Sequence, residues 1–230
     1  MVTQSGKASV MTSHNPRRLN LGCGDRPTPG WINYDNSLSL LLGRVPALPG
    51  LLFRLGMVSS SQLKFMALIR EGGIRYADVT NRIPEDDSSV DLIYCCHMLE
   101  HLSRPDAGRF LRECHRVLKP SGSIRIVVPD IRKLIDSYLA AGDADHFMES
   151  LYILPAGSEG PWHRLKCLIV GGRLHLWMYD AESLRALMLS AGFPSPVTLP
   201  PGITTIDNLE GIDLNERSEE SLYLESVRGG

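Results

Sequence analysis

One feature limits this chain more than any other: a strand runs into two glycines, and a second strand, ending in an acid, follows close behind. Residues 19–24 read Leu-Asn-Leu-Gly-Cys-Gly. The apolar run predicts a strand over 17–22, and Gly22 and Gly24 let the backbone turn sharply and approach a ligand closely. Residues 31–35, Trp-Ile-Asn-Tyr-Asp, predict a second strand that ends on Asp35. Beside a parallel neighbour, that carboxylate stands next to the turn and is placed to bind ribose hydroxyls. Gly-x-Gly alone is common in turns, but with a strand before it and a strand-terminal acid after it, the reading is a nucleoside site.

The details speak against a dinucleotide. The third glycine of the dinucleotide fingerprint is absent and Asp25 follows Gly24 directly, whereas a pyrophosphate favours a helix N-terminus with no facing anion. Residues 26–30, Arg-Pro-Thr-Pro-Gly, leave no room for a crossover helix, which takes about a dozen residues. A cationic ligand with an adenosine and no phosphate fits this pattern. S-adenosylmethionine (SAM), with its ribose and sulfonium, is such a ligand.

A chain of 230 residues with 43% hydrophobic composition suits one ordinary domain, expected over 17–230, behind a polar segment, 1–16, expected to be a disordered tail. The net charge of −2 gives no basic footprint, so no nucleic-acid partner is expected. The five cysteines, Cys23, Cys95, Cys96, Cys114 and Cys167, are odd in number and form no Cys-x-x-Cys pair. Reduced thiols in the cytoplasm follow, without a zinc ribbon. The N-terminus lacks the apolar core of a signal peptide.

Residues 37–58 are rich in leucine, but Arg44, Pro46, Pro49 and Arg54 interrupt them and rule out a clean spanning helix. Short helices are expected at 38–43 and 48–56, with a third at 62–71 closed by Gly72-Gly73, together an apolar helical insert of about 37–72. Further strands are expected at 74–78, 90–95, 123–128, 196–199 and 222–225, and helices at 104–118, 131–141 and 181–191. Residues 155–172 show no clear pattern. Strands alternating with helices predict a mostly parallel sheet that binds ligands at the C-terminal ends of its strands. Gly22–Gly24, Asp35, Asp78, Cys96, His97 and Asp130 all fall on that edge.

Four segments together resemble the class I SAM-dependent methyltransferases: Leu-Asn-Leu-Gly-Cys-Gly at 19–24, Asp-Leu-Ile-Tyr at 91–94, Leu-Glu-His-Leu at 99–102 and Arg-Val-Leu-Lys-Pro-Ser-Gly at 116–122. The likeness spans roughly 17–193. Gly-Trp-Ile-Asn-Tyr-Asp at 30–35 and Val-Val-Pro-Asp at 127–130 are similar to a bacterial subgroup that often accompanies surface-polysaccharide biosynthesis. The resemblance implies an α/β, Rossmann-like, seven-stranded and mostly parallel sheet with helices on both faces, and SAM as cofactor. By position, Gly22, Cys23 and Gly24 would pass under the methionine and ribose, and Asp35 would bind the ribose. Asp78 and Val79 would meet the adenine, while Cys96 and His97 would face the methionine and the transferable methyl. Asn20 stands where the family usually carries an acid, so attraction to the cofactor's ammonium is lost. The fourth strand does not end in Asn-Pro-Pro-Tyr, which disfavours amino-methylation of DNA bases or protein glutamine.

Methyl transfer from a sulfonium is an in-line displacement that needs alignment and, for a hydroxyl acceptor, a base. His97 is the first candidate and His101 the second, with a purely structural role open for each. His97, Glu100 and His101 have the spacing of one helical face and match the His-x-x-Glu-His letters of inverted zinc peptidases. A short segment at a strand end does not suit a peptidase. Related quinone-pathway and small-RNA 2′-O-methyltransferases place metal ligands in this segment, with Glu where His97 stands, and no metal is assigned. Asp130 and Asp180 are expected as helix caps. His163, His175 and Tyr179 lie where family members build the acceptor side, and Trp162 and Trp177 offer ring surfaces. The 37–58 stretch reads as a helical cap, a lid, or a membrane-surface contact. The expected function is SAM-dependent methylation of a small molecule or glycan on oxygen. The alternatives are a non-catalytic SAM-binding or scaffold protein and, third, a metal-dependent hydrolase.

Overall fold

The computed structural model describes residues 15–70, 72–153, 174–207 and 209–230. Most of the expected tail, and Trp162, His163 and Cys167, lie outside the described residues.

The strands are β1 (Arg18–Leu21), β2 (Ile32–Asp35), β3 (Arg75–Tyr76), β4 (Val90–Cys96), β5 (Leu118–Pro129), β6 (Val197–Leu199) and β7 (Ser221–Val227). They form one seven-stranded sheet in the order β3-β2-β1-β4-β5-β7-β6. The first five run parallel, and β7 lies antiparallel between β5 and β6. Strand order reverses between β1 and β4, which opens a crevice at their C-terminal ends. Residues 22–31 connect β1 to β2 by turns without a helix, as their brevity requires.

Three helices, α1 (Leu38–Gly43), α2 (Leu48–Arg54) and α3 (Ser60–Arg70), join β2 to β3. Leu40 packs on Cys23 and Ile74, seating α1 against the glycine turn. Leu51, Phe53 and Leu55 remain exposed. Downstream come α4 (Arg104–Val117), α5 (Ile131–Ala141), α6 (Ala144–Ser150) and α7 (Ala181–Ser190). Ser103 caps α4 by accepting from the Asp106 N–H, and Ala107, Phe110, Leu111, Cys114 and Val117 give it one apolar stripe. That stripe, with Leu184, Leu187 and Met188 of α7, packs on Leu19, Leu21, Ile93, Cys95, Ile124 and Ile126. The opposite sheet face presents Leu92, Tyr94, Val127 and Tyr223 to Trp31, Leu209, Ile206, Ile212 and Leu214. Covered on both faces, β4 reads as an almost unbroken apolar run.

Two differences from the sequence reading have local causes. β5 starts at Leu118 and not at 123, because Leu118 already pairs with Val90 and the intervening residues form a bulge. Ser121 sits there at φ 65°. α6 was not foreseen, since none of its residues is buried and it has no apolar stripe to read.

A buried ion pair crosses β5 and β7, where Arg125 and Glu225 are direct register partners. Both side chains are sealed, at 0% and 1% exposure. Arg125 also donates to the Ile203 and Leu214 carbonyls at 3.0 and 3.4 Å. Glu225 accepts from Thr204 Oγ1, Thr205 N and Thr205 Oγ1, each at 2.7 Å. The pair thus binds the long β6–β7 loop to the sheet. Among the described residues, no helix is long and apolar enough to cross a membrane.

Candidate functional site

A cavity opens where β1 and β4 end. Asn20, the 22–26 turn, Tyr94, Cys96 and His97 line it from the sheet, and Glu216 and Arg217 line it from the β6–β7 loop. The turn is held tightly: the N–H groups of Gly22 and Cys23 both donate to the Tyr34 carbonyl, at 2.8 and 3.1 Å. Gly22 lies at φ +73°, and a Cβ there would sit 2.4 Å from Met98 Cγ. Gly24 lies at φ +53° and faces open space. Asp35 accepts from the Gly24 N–H at 3.1 Å and the Ser37 N–H at 2.7 Å, which fixes its carboxylate beside the turn. Burial, then the neighbouring Asp35, raises the Cys23 thiol far above its ordinary value, so it stays protonated.

Asn20 uses its amide for support. It donates to Thr28 Oγ1 at 3.0 Å and to the Arg26 carbonyl at 3.3 Å. Asn33 completes the brace: it accepts from the Thr28 N–H at 2.7 Å and donates to the Thr28, Trp31 and Gly73 carbonyls. Buried side chains therefore satisfy the backbone groups that a crossover helix would otherwise pair.

His97 follows β4 at φ 49°. Arg217 Nη1 lies 3.0 Å from its Nδ1, and Ser221 Oγ lies 2.8 Å from its Nε2. A guanidinium only donates, so Nδ1 is the accepting nitrogen and Nε2–H points to Ser221. Burial first, then Arg217, lowers the His97 pKa to about 3, which keeps the ring neutral.

Behind His97 lies a second cavity, lined by His97, Glu100, His101, Pro129, Leu134, Ser150, Tyr152, His175, Arg217 and Glu220. Glu100 is 1% exposed, and neither carboxyl oxygen has a hydrogen-bond partner. Its Oε1 lies 3.5 Å from His97 Nδ1 and 4.0 Å from both His101 Nε2 and His175 Nε2. Burial pushes its pKa up to about 8. The Glu100 carbonyl accepts from the Leu176 and Trp177 N–H groups, and His101 Nδ1–H donates to the Leu174 carbonyl at 3.1 Å. The expected shared helical face is not formed. Glu100 and His101 occupy a single 3₁₀ turn, Leu99–His101, and His97 precedes it in a left-handed conformation. One ligand atom each from Glu100, His101 and His175 nevertheless falls within 4.8 Å of the others, a carboxylate and imidazole set of the kind that holds divalent metals.

A methyltransferase-domain family model matches residues 57–126. The ubiquinone biosynthesis O-methyltransferase of Pseudomonas syringae pv. tomato is 29% identical over 127 residues, covering 55% of this chain and 49% of its own. The Pseudomonas paraeruginosa protein of the same name is 32% identical over 97 residues, covering 42% and 38%. The chain thus spans about half the length, or less, of these curated relatives. A Thermotoga maritima SAM-dependent methyltransferase, titled a possible histamine N-methyltransferase, superposes with a TM-score of 0.50 at 15% identity, covering 92% and 81%. A Methanosarcina mazei SAM-dependent methyltransferase also gives 0.50, at 13% identity, covering 93% and 92%. Likeness at that identity speaks for the fold alone, and it agrees with the strand order above. The strand order and these superpositions give the fold of the SAM-dependent methyltransferases, and residues 57–126 match the methyltransferase-domain model.

The cofactor that this likeness implies is SAM, and the first cavity offers chemistry suited to it. The Gly24 face is open and the Asp35 carboxylate is fixed behind it, an acid beside a close-approach backbone of the kind a ribose can use. Of the residues expected to bind it, Asn20, Gly22, Cys23, Gly24, Cys96 and His97 share the cavity wall, and Asp35 stands behind Gly24. Asp78 and Val79 do not line it: Asp78 accepts from Thr80 N and Oγ1, and Val79 is buried in the core. Asp130 and Asp180 cap α5 and α7. Tyr179 is fully buried, and Trp177 and Tyr179 each face the Arg104 guanidinium at 5.5 Å. Sequence reasoning missed Tyr94, Glu216 and Arg217. Tyr94 sat in view as the polar residue near the end of an apolar strand, whereas nothing local marked the loop pair.

Proposed function

We propose that this protein binds SAM in the glycine-turn cavity and methylates an oxygen of a small molecule or glycan held in the cavity behind His97. The carrying observation is that His97 and Arg217 form the common wall of the two cavities, so that turning the Arg217 side chain away would join them and bring donor and acceptor into contact beside His97. The name of the Pseudomonas relatives, O-methyltransferase, supports oxygen as the acceptor atom. When bound, SAM supplies an electrophilic methyl group. Asp35 would hold the ribose hydroxyls, and the turn's backbone would hold the ligand against β1. Arg217 holds His97 in the tautomer with Nδ1 as the basic nitrogen and Nε2–H on Ser221. Arg217 must turn away before Nδ1 takes a proton, and that motion also removes a cation that weakens the base. Calorimetric titration with SAM and S-adenosylhomocysteine tests the site. Asp35→Ala is expected to weaken both by about ten-fold or more, equivalent to ~1.4 kcal/mol, and equal affinities would sink the assignment.

The unpartnered Glu100 carboxylate favours a second reading, in which Glu100, His101 and His175 hold a divalent cation beside the acceptor. Methyl transfer assayed with and without a chelator separates the two. A rate indifferent to the chelator but lost in His97→Ala supports the histidine base. A rate abolished by the chelator and by His175→Ala supports the cation. Turnover with any acceptor eliminates the scaffold alternative.

A further inference from the structure

Asn20 leaves the cavity without the first-strand acid, and its amide is already committed to Thr28 and Arg26. A carboxylate reaches the same cavity from the far end of the chain. Glu216 lies in the wall with its side chain 18% exposed, and its Oε1 pairs with Arg26 Nη1 at 2.8 Å. Its Oε2 accepts from the Tyr94 hydroxyl at 2.8 Å. Its backbone carbonyl accepts from the Tyr223 hydroxyl, also at 2.8 Å. Glu216 is therefore held at three points, before any ligand arrives, against two strands and the glycine turn.

We propose that the Arg26–Glu216 ion pair is the receptor for the α-amino-acid end of the ligand, Glu216 taking the ammonium and Arg26 the carboxylate. The assignment rests on the SAM reading above and specifies which residues recognise the half of the ligand that is not adenosine. An α-amino acid carries opposite charges on neighbouring groups, as does the Arg26–Glu216 pair. Laid antiparallel, each charge meets its opposite, and the hydrogen bonds are charge-assisted. Arg26 is 67% exposed, and a pair that open to water contributes little by itself. Sharing it with a zwitterion therefore costs little. Asp25 also lines the cavity but is exposed and lacks this three-point support. Arg217 is turned to His97 and Glu220.

The test compares SAM and S-adenosylhomocysteine with 5′-methylthioadenosine, which keeps the nucleoside and thioether and lacks the amino acid. Titrations use the full chain, unaltered and as Glu216→Gln, Asp25→Asn and Asp35→Ala. Glu216→Gln is expected to weaken the two amino-acid ligands by about ten-fold or more and to leave methylthioadenosine within about two-fold. Asp25→Asn should change none of the three by more than about three-fold, and Asp35→Ala should weaken all three. Retained methylthioadenosine binding shows that Glu216→Gln is folded. An equal loss for all three ligands in Glu216→Gln, or no loss, overturns the receptor while leaving the SAM reading intact. Failure of every ligand on the unaltered chain overturns the SAM reading and the receptor with it.

Discussion

Glu225→Gln is expected to remove about 3–5 kcal/mol of folding stability, the usual effect of stranding one member of a buried ion pair. Arg125 has no water to turn to, since its side chain is fully buried between β5 and β7. An amide keeps the shape of the acid but leaves the guanidinium charge uncompensated. The loss should appear in urea unfolding as a lower midpoint with an unchanged slope. The damage should reach the site as well. Glu225 anchors Thr204 and Thr205, and Arg125 anchors the Ile203 and Leu214 carbonyls, two residues before Glu216. Replacing both partners, Arg125→Met with Glu225→Leu, should recover most of the stability, because no buried charge remains. A loss below about 1 kcal/mol in Glu225→Gln would mean that Arg125 reaches solvent in solution.

Gly22→Ala should be the most damaging single change in the glycine turn. The position lies at φ +73°, and a left-handed conformation costs an L-residue about 1–2 kcal/mol. The new Cβ would also sit 2.4 Å from Met98 Cγ and 2.8 Å from Met98 Cβ, and overpacking of that kind costs a further ~1–3 kcal/mol. Gly24→Ala supplies the comparison. It is left-handed too, at φ +53°, but no atom lies within 4 Å of the added Cβ, so only the backbone cost of about 1–2 kcal/mol remains. Chemical unfolding of the two variants should therefore differ by the packing contribution alone. Equal stabilities would mean that Met98 moves aside freely.

The parallel part of the sheet was legible because buried strands announce themselves. Leu-Asn-Leu before Gly22, and Val90 to Cys95, can only be apolar runs if both faces are covered. The order of helices and strands then placed Gly22–Gly24, Cys96 and His97 on one edge without further information. The second half of the site was not legible, for a physical reason. Glu216 and Arg217 sit in a polar loop with no periodicity, and they arrive at the cavity only because β7 inserts beside β5 and carries the loop back. Two residues did hold a clue. Arg125 interrupts Ile-Arg-Ile-Val-Val and Glu225 interrupts Leu-Tyr-Leu-Glu, opposite charges in the middle of buried strands. Each needs a partner, and pairing them would have set β5 against β7 in register. The His97-Glu100-His101 spacing misled in one respect, because it assumes a helix where the chain makes a left-handed step and a single 3₁₀ turn. The cluster forms all the same, through His175, whose approach depends on the Glu100 carbonyl holding residues 176 and 177.

The cavity's two walls, Asn20 with residues 22–26 and residues 216–217, are far apart in sequence. The glycine turn is opposed only once β7 has paired with β5 and carried the loop back. A ligand that touches both walls would therefore stabilise that long-range pairing, and with it the whole sheet, and not the turn alone.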